Sequence, residues 1–151
     1  TGLVIPYELN TEAGFLFENY GGFSRGFQRK WFTADHKNIK EFIGAGMFGT
    51  GANMAFRKNI FENIGYFDPA LDVGTVTNGG GDLEIFYRIL KEGFTLVYEP
   101  AAIVKHKHRT TIEELKIQLT NNGIGLYSYL VRSGIAYPEE RLRILFFGLY
   151  N

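Results

Sequence analysis

The sequence predicts an α/β fold, and three observations carry that prediction. From Asp82 to Glu92, Leu83, Phe86, Tyr87 and Leu90 recur at i, i+3, i+4 and i+7, the period of a helix with one apolar face. The runs "TGLVIPYEL" and "FTLVYEPAAIVKH" are β-branched and apolar over strand-like lengths. Gly and Pro punctuate the passages between, with no internal repeat and no low-complexity linker, so residues 1–151 read as one domain.

Taken in order, the first strand is limited by Pro6 to an edge or a strand end. Thr11 is placed to cap a helix over "EAGFLFENY", with Phe15, Leu16 and Tyr20 on one side. "GGFSRGFQRKWF", residues 21–32, reads as a loop with aromatics among Arg25, Arg29 and Lys30. A glycine-punctuated passage then ends in "GTGANMAFRK", where Ala52, Met54 and Phe56 alternate as in a strand. Asn59 precedes a short helix to about Ile64, which Gly65 ends. Residues 65–80 are a long loop with Asp-Pro turn chemistry. After the helix that begins at Asp82, Gly93 supplies the left-handed residue past its end. Pro100 is expected to break the following run into two short strands. Thr110 or Thr111 caps a long amphipathic helix to about Leu130, with Glu113 and Glu114 in its first turn, and Pro138 begins a last helix.

Composition narrows the function classes. The chain has 151 residues, 45% hydrophobic and 16% aromatic, which suits a packed core and excludes disorder. Its 16 basic and 16 acidic residues balance, so no global field points to nucleic acid. With no Cys, a disulfide framework and a thiolate metal site are both excluded. No signal peptide is visible, and no apolar run reaches the roughly 18–20 residues that span a bilayer. The expected location is therefore cytoplasmic, with a peripheral membrane association open. The opening "TGLVI" and the closing "RILFFGLYN" both read as cut ends, so the expectation is a piece of a longer protein.

Four patterns carry candidate chemistry. Gly44 to Gly49 matches G-x-G-x-x-G with Asp68 roughly 20 residues on, but no helix is expected to open at those glycines, as a dinucleotide site requires. The glycines better suit close approach of a ligand to the backbone, with Asn53 presenting its amide to that ligand. Asp82 and Glu84 form the second candidate. Two helical positions apart, they diverge by roughly 200°, so only one faces a site. Asp82 is the better choice: it stands at a helix N-terminus, which favours a carboxylate, beside the open backbone of Gly79, Gly80 and Gly81. The plain alternative is an N-cap aspartate. In "IVKHKHR", His106 and His108 share one strand face, a spacing that suits a metal, with Lys105 and Lys107 on the other. A basic strand end, or imidazoles contacting phosphate, explains the same pattern. The aromatic loop 21–32 is the fourth, with core-covering aromatics as its default reading and nucleic acid disfavoured by the charge balance.

Together these stretches resemble the C-terminal half of a family 2 glycosyltransferase, the inverting GT-A type. "TGLVIPYELNTEAGFLFENYGGFSRGF" is similar to the segment after the metal-binding acidic motif in one bacterial branch. "GTGANMAFRKNIFENIGYFDPAL" resembles the family's G-x-N-x-A-x-R strand and helix with its Gly-x-Phe-Asp turn. "GGGDLEIFYRILKEGFTLVYEPAAIVKHKHR" resembles the catalytic acidic motif with its helix, strand and histidine. The resemblance implies the acceptor-side part of a nucleotide-diphospho-sugar transferase fold, a mixed sheet with flanking helices. It implies Asp82 as general base, with Gly81 where the family usually has Glu. It further implies Gly51, Asn53, Gly79, Gly80, Gly81 and Glu84 as donor- or acceptor-binding residues, and Arg88 in a structural role. Mg²⁺ or Mn²⁺ is the implied cofactor, with His106 or His108 near it and His106 preferred.

The implied partners are a nucleotide sugar and a saccharide, lipid or protein acceptor. The family's nucleotide-binding half and Asp-x-Asp motif are absent from this chain, so the fragment alone is expected to be inactive, and surfaces bared by truncation are expected to favour a homo-oligomer. Two other classes compete. A carbohydrate-binding module would stack sugars on Trp31, Phe27 and Tyr20. A metal-dependent hydrolase would use His106, His108 and Asp82.

Overall fold

The structure is a computed structural model that describes residues 1–34 and 42–150. It is mixed α/β: one small sheet of three strands, in the order β1-β3-β2, with helices packed around it. Strand β1 (Gly2–Pro6) runs parallel to β3 (Thr95–His106), and β2 (Lys30–Thr33) runs antiparallel to it. The helices that lie wholly among the described residues are α1 (Glu12–Asn19), α2 (Ile60–Ile64), α3 (Gly81–Lys91), α4 (Ile112–Ala136) and α5 (Arg141–Tyr150). Among the described residues, no helix is long and apolar enough to cross a membrane.

The core is built on α3. Ile85, Phe86, Tyr87, Ile89 and Leu90 are all buried there, against Phe48, Leu96, Tyr129, Leu130 and Ile144. Its C-terminus closes as its glycine requires: Gly93 takes φ +82°, Gly93 N–H donates to Leu90 O, and Phe94 N–H to Ile89 O. Helix α4 begins with a complete capping box. Thr111 Oγ1 accepts from the Glu114 N–H, and the Glu114 carboxylate accepts from the Thr111 N–H. It continues six residues past the Leu130 expected from sequence, to Ala136. Pro138 opens a 3₁₀ turn rather than the last helix itself, which starts at Arg141.

Several expectations are corrected by the structure. Thr11 caps α1, accepting from the Gly14 N–H at 3.2 Å. The face it buries, however, is Ala13, Gly14 and Phe17, while Phe15 and Tyr20 are exposed. That face is set by tertiary packing: Ala13 and Phe17 lie against Leu115 of α4. Part of the expected loop 21–32 is β2, an edge strand paired with Thr95–Tyr98. The alternation at Ala52, Met54 and Phe56 is not a strand. A 3₁₀ turn (Gly51–Asn53) comes first, and Met54 and Phe56 then pack on the core without ladder partners.

Pro100 does not split the third strand. Between the pairs Gly2↔Glu99 and Leu3↔Ile103 the register jumps, so β3 bulges over Pro100, Ala101 and Ala102, where Pro lacks a donor for the ladder. Asn53 closes this bulge. Its Nδ2 donates to Leu3 O at 3.0 Å and to Ala102 O at 2.8 Å, tying β1 to β3 where the ladder is missing.

Candidate functional site

A cleft of about 790 Å³ opens between the glycine-rich segment 44–51, the loop and first turn leading into α3, α4, and the Tyr20–Arg25 region. Its volume lies within the range typical of small-molecule sites, roughly 300–1,000 Å³. Asp82, Gly51, Gly79, Gly80, Gly81 and His106 all line it.

Asp82 is not the helix cap. That position is Gly80, at φ +100°, with no side-chain cap bond, and Asp82 stands inside the first turn of α3. Its carboxylate is held by two backbone donors: Gly51 N–H to Oδ2 at 2.8 Å and Leu83 N–H to Oδ1 at 2.9 Å. A Cβ on Gly51 would lie 3.2 Å from Asp82 Oδ2 and 3.3 Å from its Cβ, so only glycine lets the segment come this close without a shift. A carboxylate has about four lone-pair sites, and two are used here. Asp82 is half-buried and keeps acceptor capacity toward the cleft.

The glycines ahead of it do more than leave room. Asn78, Gly79 and Gly80 have positive φ in succession, at 53°, 134° and 100°, which turns the chain sharply into α3. A Cβ on Gly80 would overlap the Gly125 carbonyl oxygen, and a Cβ on Gly125 would sit 3.0 Å from Gly79 C. Two backbones therefore touch at the cleft wall, and Gly80 is required by helix packing as well as by ligand access.

Two expected binding residues are placed elsewhere. Asn53 is committed to the strand bulge, so its amide donors serve the sheet and not a ligand. Glu84 points into the core at 2% exposure, where it accepts from Arg88 Nη2 at 2.6 Å. Arg88 also donates to Ile64 O at 2.5 Å and Tyr66 O at 3.0 Å, fastening the turn after α2 to α3. Glu84 is half of a buried strut. The geometric reason is the helical period that sends residues 82 and 84 in different directions.

His106 and His108 do share a face, with Nδ1 atoms 3.2 Å apart, and Lys105 and Lys107 are exposed. His108 Nε2 meets Glu18 Oε1 at 2.7 Å. The Glu18 carboxylate is an acceptor only, so the proton between the two groups belongs to His108 Nε2. One of the facing Nδ1 atoms donates to the other. Burial, then neighbouring His108 and Arg109, hold the His106 imidazole below its ordinary pKa. Phe23 lies edge-on to His106 at 4.9 Å, and Phe17 likewise to His108.

This pair is a poor cradle for Mg²⁺ or Mn²⁺. The facing nitrogens are engaged with each other, those ions favour oxygen donors, and among the described residues no group of three or more His, Asp or Glu could hold a metal. The G-x-G-x-x-G stretch forms a 3₁₀ turn (Ala45–Phe48) and opens no α-helix, so it offers no helix N-terminus to a pyrophosphate.

Arg25, Asn121, Asn122 and Gly125 also line the cleft. They were not foreseen as site residues, although a polar Asn-Asn pair before Gly123 on an amphipathic helix was a usable signal. Comparisons with models of protein families, with curated proteins and with solved structures find no match to this chain.

Proposed function

We propose that this chain is the acceptor-side part of an inverting glycosyltransferase of GT-A type, family 2, with Asp82 as its general base. One observation carries the reading: a carboxylate fixed by two backbone N–H groups stands on the wall of a sugar-sized cleft with spare acceptor capacity. The sequence motifs around it resemble those of the family. In the reaction, an acceptor hydroxyl attacks the anomeric carbon of a nucleotide-diphosphate sugar. Its proton passes to the Asp82 carboxylate, the new C–O bond forms, and the bond to the diphosphate oxygen breaks with inversion. Fixing the base before substrate arrives saves reorganisation in the transition state. The cleft also supplies aromatic surface at Tyr20 and Phe23 for a sugar face.

The test is transfer by the intact gene product against a panel of nucleotide sugars, comparing wild type with Asp82→Asn. A missing general base costs roughly 10²- to 10⁴-fold in turnover, with the fold unchanged by circular dichroism. Full transfer by the variant would remove Asp82 from the mechanism.

A second reading, a carbohydrate-binding module, draws on the exposure of Tyr20 (81%), Phe27 (81%) and Trp31 (66%). It separates cleanly from the first: binding without transfer, lost in Trp31→Ala and kept in Asp82→Asn, favours the module.

A further inference from the structure

Arg25 belongs to the loop before β2, yet its side chain is held as firmly as a core residue. Its Nε donates to Gly46 O at 2.7 Å. Its Nη1 faces the carbonyls of Gly21, Gly22 and Ser24 at 3.3, 3.2 and 2.8 Å. The backbone around it is pinned as well: Arg25 N–H donates to the Tyr98 hydroxyl, which donates to Gly26 O at 2.9 Å. Tyr98 is wholly buried in β3, so the sheet fixes the backbone that carries the guanidinium.

Four carbonyls therefore orient the guanidinium through Nε and Nη1, while Nη2 makes no hydrogen bond to any described residue. Among the described residues that line the cleft, Arg25 is the one Lys or Arg. The cleft is thus two-ended. Arg25 holds Gly46 O and Asp82 holds Gly51 N–H, so one short glycine-rich segment seats a cation and an anion.

We infer that Arg25 is an oxyanion-binding residue, whose Nη2 amino group donates to a phosphate-type group of a ligand lying in the cleft toward Asp82. A guanidinium keeps its charge in a partly desolvated site and donates in a fixed plane, which suits phosphate oxygens better than a mobile ammonium would. Identifying that group as the donor's diphosphate rests on the transferase reading; the anion contact itself does not.

The experiment titrates inorganic pyrophosphate, and separately glucuronate, into the 151-residue chain by calorimetry, with ¹⁵N NMR to locate binding. Pyrophosphate is expected to shift the Arg25 side-chain signals and the amides of residues 44–51. Loss of one charge-assisted contact in Arg25→Met should weaken it roughly 10- to 100-fold. Arg25→Lys should recover part of that loss, and Asp82→Asn should bind at least as tightly as wild type, since it removes a negative charge from the same cleft. If Arg25→Met fails to fold, the wild-type NMR map decides alone. No pyrophosphate binding at millimolar concentration, shifts confined to other surfaces, wild-type affinity in Arg25→Met, or binding of glucuronate only would each overturn the assignment. Pyrophosphate binding through Arg25 in a protein whose Asp82→Asn variant transfers normally would keep this site and discard the proposed base.

Discussion

The contact between Gly80 and Gly125 sets where Asp82 stands, and its contribution can be isolated by comparing two glycines. Gly80→Ala introduces two costs. The first is conformational: φ is +100°, and an L-residue held at positive φ loses roughly 1–2 kcal/mol. The second is steric. The new Cβ overlaps the Gly125 carbonyl oxygen and lies 3.1 Å from its carbon, and both are backbone atoms of α4 that cannot rotate away. Overpacking of this kind costs about 1–3 kcal/mol. Gly93→Ala carries the first cost only, since its φ is +82° and nothing lies within 4 Å of the added Cβ.

The expected losses are therefore about 2–5 kcal/mol for Gly80→Ala and about 1–2 kcal/mol for Gly93→Ala. At roughly 2–4 °C per kcal/mol for a chain of this size, Gly80→Ala should lower Tm by about 4–20 °C, well beyond Gly93→Ala. Urea unfolding and calorimetric melts of both variants measure the difference. Equal losses in the two would refute the claim that α4 is seated on the Gly80 backbone, and with it the account of how Asp82 is placed. The Gly80 carbonyl accepts the Glu84 N–H at 2.9 Å, so a shift at Gly80 moves the first turn of α3 directly.

Other predictions follow from the same geometry. Arg88→Met leaves Glu84 buried without its partner and frees the carbonyls of Ile64 and Tyr66, so a loss of roughly 3–5 kcal/mol is expected in urea unfolding, against little change for exposed Arg57→Met. Asn53→Ala removes two hydrogen bonds from the β1–β3 bulge and should cost about 1–3 kcal/mol, with increased amide exchange at Leu3 and Ile103 and no change in pyrophosphate affinity. His106 has a folded pKa below its ordinary value of about 6.5, so the unfolded chain takes up that proton first as pH falls. Its contribution is complete above about pH 6.5 and is lost as pH drops through the folded value. Histidine Cε1–H titration by NMR should show His106 moving back toward the ordinary value in His108→Ala.

What could be foreseen divides along the range of the interactions involved. The caps at Thr11 and Thr111, the stops at Gly65 and Gly93, and the apolar stripe of α3 depend on residues a few positions apart, and these appear in the structure where local rules put them. Strand β2 was invisible because "KWFT" has an edge strand's exposed pattern and its partner lies more than 60 residues later, at Thr95–Tyr98. Pro100 read as a break because the donor that bridges the gap, Asn53, belongs to another segment. The same limit governed the site. Asp82 could be chosen over Glu84 from helical geometry and its place at a helix start beside three glycines, but its anchor at Gly51 and the burial of Glu84 beneath Arg88 are tertiary facts. Arg25 looked like one of several basic residues in an aromatic loop until its carbonyl partners came together around it.

The glycine-rich segment 44–51 explains why the two charges of the cleft can be held without a long helix or a second sheet. Its carbonyl at Gly46 faces Arg25 and its amide at Gly51 faces Asp82, so opposite ends of peptide dipoles are turned toward charges of the matching sign. A side chain at Gly51 would crowd Asp82, where a Cβ would lie 3.2 Å from Oδ2, whereas a Cβ at Gly46 would make only an ordinary contact with Leu83 at 3.9 Å. The segment is anchored below by Ala45 and Phe48, both fully buried against the α3 core. On the proposed reading, a ligand that neutralises Arg25 at one end and gives a proton to Asp82 at the other would be read by one short strip of backbone. Moving either charge requires moving the strip, and moving the strip requires repacking α3.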